Sequence, residues 1–218
     1  NPDIDELGKN KSRMVLLNKS DLADPVWNRQ WLEYFQKKGA YVLEINSKTG
    51  AGIKAINGLV QEACREKLER DRKRGIVNRP VRAMVAGIPN VGKSTFINAF
   101  AGKACTKTGN KPGVTKGKQW IRLNKNLELL DTPGILWPKF EDQQVGLNLA
   151  YIGSVNDEVI VLEELACHLL DTLHQLYPKA VEERYHIEWK EKSVENLEEI
   201  ARSRGCFQKG ETLDLKKA

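Results

Sequence analysis

VRAMVAGIPNVGKST, residues 81–95, opens as a run of small and β-branched apolar residues and then breaks into glycine, proline and asparagine. The opening run has the composition of a buried strand. The break itself is G-x-x-x-x-G-K-S, from Gly87 through Gly92 and Lys93 to Ser94. Glycines at those two places let successive backbone N–H groups converge on a phosphate. Lys93 brings a point charge to the terminal phosphates, and the Ser94 hydroxyl is a ligand for Mg2+. A helix expected from Lys93 to Ala101 adds the positive end of its dipole. Pro89, Asn90, Val91, Gly92, Lys93, Ser94 and Thr95 are thus the expected phosphate contacts. A strand before and a helix after are the context this motif requires. They point to an α/β fold with a mostly parallel sheet.

The partner boxes of such a loop lie on both sides of it. Downstream, strands are expected at 118–123 and 127–130, and the second runs into Asp131-Thr132-Pro133-Gly134. Asp131 there can hold Mg2+ through water, and the Gly134 N–H can touch the γ-phosphate. Four residues of D-x-x-G arise by chance in most proteins; position at a strand end after the phosphate loop gives this one its weight. Thr115, within Pro112-Gly113-Val114-Thr115, is a second candidate Mg2+ ligand in a Gly-, Lys- and Thr-rich loop over 102–117.

Upstream, LLNKSDL at 16–22 carries Asn18-Lys19-Ser20-Asp21, an N-K-x-D box at the end of an expected strand over 13–17. The Asp21 carboxylate accepts from N1–H and the exocyclic amine of guanine. Adenine has no donor pair there, and a charge left without donors costs several kcal/mol, which decides the base. Lys19 would lay its stem over the base, and Asn18 would tie this box to the phosphate loop. Asn46-Ser47-Lys48, after a strand expected at 40–45, is the second base loop. The bland reading of both boxes is a polar turn after a strand. Between them Asp24-Pro25 starts a helix with Trp27, Trp31 and Phe35 at helical spacing, ended by Gly39. A long amphipathic helix with Ile53, Ile56, Val60, Ala63 and Lys67 on one face then runs into RDRKRG at 70–75.

The order is therefore base box, second base loop, phosphate loop, threonine loop, D-T-P-G. That is the usual order of a GTP-binding domain cut and rejoined, a circular permutation, with the helix and linker over 52–80 as the new join. GIPNVGKST, NKPGVT at 110–115 and LELLDTPGILWPKFED at 127–142 resemble the circularly permuted GTPases of ribosome assembly, of the YlqF/RbgA or ribosome biogenesis GTPase A type. The resemblance extends over nearly the whole chain, to ERY at 183–185 and RGC at 204–206. It implies a GTPase that binds GTP and GDP with Mg2+ and helps mature the large ribosomal subunit through its rRNA and proteins. It implies a monomeric bacterial cytoplasmic protein, slow alone and stimulated by the subunit. The alternative function is a nucleotide-gated RNA-binding scaffold with negligible hydrolysis of its own.

Two departures qualify this. Permuted relatives place a central strand before the N-K-x-D strand. NPDIDELGKNKS, residues 1–12, is not strand-like, so a strand is expected to precede Asn1. The family's proposed catalytic histidine lies in that stretch. The three histidines here, His168, His174 and His186, fall in the tail and read as helix-bundle residues. Second, Ile135 follows D-T-P-G where Ras-like enzymes place a water-orienting glutamine. Asn90 resembles the asparagine that coordinates K+ in potassium-activated GTPases, so K+ is an expected cofactor. Asn90, Lys93, Thr115 and Gly134 are then the catalytic set.

Bulk properties fit. With 218 residues, 40% of them hydrophobic, the chain can bury one good core and a small second one. The domains expected are the GTPase domain at 1–140 and an all-helical C-terminal domain at 141–218. In the latter, helices are read over 157–177 and from a Ser193 cap to Gly205. No apolar run approaches the roughly 20 residues that span a bilayer. Cys64, Cys105, Cys167 and Cys206 form no C-x-x-C pair, which argues for reduced thiols over a zinc site. The net charge of +6 suits an acidic partner such as RNA. Basic residues over 65–74 and Lys103, Lys107, Lys111, Lys116 and Lys118 are candidate phosphate contacts or plain solvated surface. Asp21→Asn should shift preference from guanine toward xanthine nucleotides, because an amide donates where the carboxylate accepted; titration with labelled nucleotides measures this, and unchanged GTP affinity would refute the base assignment.

Overall fold

Two compact units divide the chain, residues 1–136 and 137–218. The computed structural model describes residue 6 and residues 8–76, 79–106, 117–136, 142–208, 210 and 212–218. In the first unit β1 (Met14–Leu17) pairs in parallel with β2 (Tyr41–Glu44), Met14 opposite Tyr41 and Leu17 opposite Glu44. Parallel neighbours need a crossover, and α1 (Pro25–Lys37) provides it. Its start is fixed locally: the Asp24 carboxylate accepts the Val26 N–H at 2.8 Å, and Pro25 takes the first helical position. The left-handed Gly39, φ 77°, turns the chain out of it.

The second sheet has the order β3 (Val81–Val85), β5 (Leu127–Asp131), β4 (Gln119–Asn124). β3 and β5 run parallel, and β4 returns antiparallel to β5. Along β5 the buried positions alternate, Leu127, Leu129 and Asp131, so one strand delivers two core leucines and a carboxylate to the same face. Among the described residues β1 and β3 each pair on one side only. The two sheets nevertheless feed one core of Ile45, Ile53, Ile56, Val81, Phe96, Ile97, Ile121, Leu127 and Leu129, against which Met14, Leu16 and Leu43 pack.

The long helix expected after β2 is broken. A 3-10 turn at Ile53–Ala55 leads into α2 (Ile56–Ala63), and α3 (Arg65–Lys73) restarts beyond Cys64. The Ser12 hydroxyl donates to the Ala63 carbonyl at the break. The bend keeps Val60, Cys64 and Leu68 on the core. α4 (Lys93–Ala101) follows β3 through the phosphate loop and buries Phe96 and Ile97.

The second unit is helical: α5 (Gln143–Tyr151), capped by Asp142, α6 (Leu162–Leu176), α7 (Ala180–Tyr185) and α8 (Ser193–Ser203). The single helix expected over 157–177 is a 3-10 turn at Asp157–Val159 followed by α6. Ser193 does not cap α8. It is already the first helical residue, and its hydroxyl donates to the Asp171 carboxylate on α6, a charge-assisted bond. Leu170, Val181, Leu197 and Ile200 form the core of this unit. None of the described helices is long and apolar enough to cross a membrane.

One buried polar residue closes that bundle. Asn196 is 0% exposed, accepts the Lys190 N–H at 2.7 Å and donates to the Lys190 carbonyl at 2.8 Å. Asn196→Ala would strand both backbone groups, at a cost of about 2–3 kcal/mol. Amide hydrogen exchange across α8 should accelerate accordingly; unchanged protection would show that the clamp is dispensable.

Candidate active site

The phosphate loop takes its shape from two left-handed residues, Asn90 at φ 59° and Gly92 at φ 89°. Asparagine tolerates that conformation; at Gly92 a side chain is doubly excluded, because a Cβ would lie 2.5 Å from Asn18 Nδ2. Lys93 closes the loop, donating from Nζ to the carbonyls of Gly87 at 3.0 Å and Ile88 at 2.8 Å. Burial holds the Lys93 ammonium below its ordinary pKa, with the Asp131 charge opposing. Ser94 and Thr95 lie in the first turn of α4.

D-T-P-G is bonded to this loop from the end of β5. The Thr132 hydroxyl donates to the Val85 carbonyl at 2.7 Å, and the Ile135 N–H donates to the Gly87 carbonyl at 3.1 Å. Gly134 passes so close to Pro89 that a Cβ would sit 2.7 Å from its ring. Asp131 is 1% exposed, and its Oδ1 has no hydrogen-bond partner among the described residues. Burial pushes its carboxyl up, while Lys93 and the Thr132 N–H pull it down. A buried carboxylate oxygen with nothing to bond is costly unless a cation or its water completes it. The donor set, a serine hydroxyl and a carboxylate beside a phosphate cradle, suits Mg2+. Thr115 lies outside the described residues.

The segments expected to read the base converge on Asn18. Its Nδ2 donates to the Val91 carbonyl at 2.8 Å, and its Oδ1 accepts the Ser47 N–H at 3.1 Å and the Ser47 hydroxyl at 2.9 Å. One amide thus joins the base box, the second base loop and the phosphate loop. Ser47 and Asn46 are buried, and the Asn46 side-chain Oδ1 accepts the N–H groups of Lys48 and Thr49, which turns that loop. Asp21 and Lys48 are exposed, as is Lys19, which is left-handed at φ 57°.

Sequence reasoning passed over two residues here. Ser20 sends both its N–H and its hydroxyl to the Ile45 carbonyl, at 3.3 and 3.1 Å. Asn28 on α1 donates to the Ser20 carbonyl at 3.1 Å. The variable position of the box is thereby fixed from both sides, but nothing local to Ser20 or Asn28 signals it. Of the basic candidates, Lys103 and Lys118 are exposed, as are Arg65, Arg70, Arg72, Lys73 and Arg74; Lys107, Lys111 and Lys116 lie outside the described residues. The three histidines all fall in the second unit, His174 stacked flat on Trp189 at 4.0 Å.

A base box that precedes the phosphate loop in the chain, yet is bonded to it in space, makes this domain a circularly permuted P-loop GTPase. The family of 50S ribosome-binding GTPases matches residues 82–202, a stretch that begins in β3, after both base-reading segments. The chain is 45% identical over 218 residues to Ribosome biogenesis GTPase A of Bacillus cereus, covering 100% of this chain and 74% of that relative. The same protein of Priestia megaterium is 47% identical over 219 residues, covering 100% and 76%. Among solved structures, GNP-bound YlqF from Thermotoga maritima matches with a TM-score of 0.63 at 27% identity, over 96% of this chain and 74% of that one. The chain belongs to the ribosome biogenesis GTPase A family.

Asp131→Asn removes a buried charge and keeps the shape. The nucleotide-free protein should melt at a higher temperature, while the Mg2+-dependent part of its affinity for a GTP analogue falls at least about tenfold. Calorimetry and titration with and without Mg2+ measure the two effects; retained Mg2+ dependence would remove Asp131 from the metal site.

Proposed function

We propose that this protein is a GTP-hydrolysing switch that acts on the large ribosomal subunit, with Mg2+ and K+ as cofactors, as a cytoplasmic monomer. The observation that carries this reading is the Asn18 junction, which presents a guanine-reading box and a phosphate cradle as one site. Asp21 would read the guanine edge, Lys19 would cover the base, and Asn46, Ser47 and Lys48 would line its other side. Gly87 to Thr95 would wrap the phosphates, with Lys93 exchanging the Gly87 and Ile88 carbonyls for phosphate oxygens. Ser94 and Asp131, with Thr115, would hold Mg2+, which when bound neutralises charge on the β- and γ-phosphates. The Gly134 N–H would contact the γ-phosphate, and the approach of Gly134 to Pro89 supports that role.

Ile135, partly exposed and without a polar side-chain atom, cannot orient water. That residue favours a second reading, a nucleotide-gated RNA-binding scaffold with negligible hydrolysis. An arginine finger is worth about 10³–10⁵ in rate. A K+ ion held by the Asn90 side chain and phosphate oxygens would supply the same charge where the leaving bond opens. Hydrolysis by the full-length protein with large subunits should be faster in K+ than in Na+ at equal ionic strength, and Asn90→Ala should abolish the difference. Single-turnover phosphate release tests both readings. Negligible release with and without subunits would establish the scaffold, and equal rates in the two salts would remove K+.

A further inference from the structure

The segment that leaves α4 is tied back to it by a cluster of side-chain bonds that the proposed nucleotide chemistry does not use. Gly102, left-handed at φ 66°, ends the helix, and the chain reverses along it. Asn98, on α4, meets the returning chain. Its Oδ1 accepts the N–H groups of Cys105 and Thr106, both at 2.8 Å, and its Nδ2 donates to the Thr106 carbonyl at 2.9 Å. The Thr106 hydroxyl lies 3.0 Å from Asn98 Oδ1 and 3.1 Å from the Ser94 carbonyl. Two N–H groups already occupy the lone pairs of that Oδ1, so the single hydroxyl hydrogen is directed to Ser94. The contact therefore ends on the residue whose hydroxyl is the proposed metal ligand.

We propose that Asn98 and Thr106 form a clasp that sets the position of Ser94, and with it the geometry of Mg2+-bound GTP. They are positioning residues and not ligands. The proposal rests on the GTPase reading of the site. Its physics is that of a brace. Ser94 must hold its hydroxyl within a few tenths of an ångström for metal ligation. It sits in the first turn of α4, where backbone groups lack the full set of helical bonds. A second donor on its carbonyl, backed by the bonds that hold Thr106 to Asn98, stiffens that turn. The same clasp brings the outgoing chain to the phosphate end of α4, and not to the helix end at Ala101. Freeing only the few residues from Gly102 to Thr106 would change an effective concentration along the chain by only about twofold. A larger defect must therefore come through Ser94 itself.

Thr106→Val keeps the shape and removes only the hydroxyl, Asn98→Ala removes the clasp, and Thr106→Ser restores the hydroxyl. GTP hydrolysis by the full-length protein is followed against Mg2+ concentration, with GDP affinity measured in EDTA. Peptide-resolved labelling of the half-buried Cys105 thiol reports on the clasp directly. Thr106→Val and Asn98→Ala should each raise the Mg2+ concentration for half-maximal rate about fivefold or more and speed Cys105 labelling. GDP affinity without metal should stay within about twofold, and Thr106→Ser should behave as the parent. An unchanged Mg2+ requirement in Thr106→Val, with Lys93→Ala losing GTP binding, would overturn the clasp and leave the GTPase reading intact. Parent-like GTP binding by Lys93→Ala would overturn both. Should Asn98→Ala fail to fold, the Thr106→Val and Thr106→Ser pair decides alone.

Discussion

A guanine nucleotide is one ligand whose base and phosphates must be met together, and in this chain the Asn18 amide bonds the two segments proposed to read the base to the phosphate loop. It donates to Val91 in the phosphate loop and accepts twice from Ser47 in the second base loop. Only an amide can do this at one position. A carboxylate there would face the Val91 carbonyl with no proton to offer, and a leucine would leave three partly buried polar groups unpaired. Gly92 is then required by sterics as well as by its φ of 89°, since any Cβ would meet the Asn18 amide. The asparagine of one box and the second glycine of the other are in this way a single constraint.

That constraint also explains why a permuted order works. Asn18 and Val91 are separated by 73 positions, but the bond does not depend on which segment comes first. What the permutation must supply is a path from β2 to β3 that does not disturb the core. α2 and α3 do so by keeping Val60, Cys64 and Leu68 against the buried cluster across the break at Cys64. The remaining faces of α3 are charged and carry no buried residue. The new join thus sets apolar contact on one side and charge on the other.

Features set by local backbone chemistry were legible in the sequence, and features set by distant partners were not. α1 begins where Asp24 and Pro25 say it should, and α4 runs from Lys93 to Ala101 as the motif requires, because caps and glycine turns act within a few residues. At the break by Cys64 the Ala63 carbonyl is bonded by Ser12, far upstream, and the hydroxyl of Ser193 is taken by Asp171 on another helix. Ser20, Asn28, Asn98 and Thr106 carry no sequence signal, since each acquires its role from a carbonyl or amide that only the fold brings near. The short helices α5 and α7 lack an extended periodic face to announce them.

The site also holds two charges that burial disfavours, Lys93 and Asp131. Burial disfavours the ionised forms of both Lys93 and Asp131, and their mutual attraction offsets only part of it. β5 can hold Asp131 because the same face buries Leu127 and Leu129 in the core, which fixes the strand whatever the carboxylate costs. Lys93 limits its own cost by bonding to the Gly87 and Ile88 carbonyls. Nucleotide binding as proposed would trade two neutral acceptors for anionic ones, and its gain at Lys93 would be the difference between them, not the whole of a charged bond. Asp131 has no such partner to give up at Oδ1 among the described residues. On the proposed reading, the larger share of the relief on forming the complex with metal would fall to the carboxylate, which would make the metal side of the site, and not the lysine, the more sensitive reporter of a third phosphate.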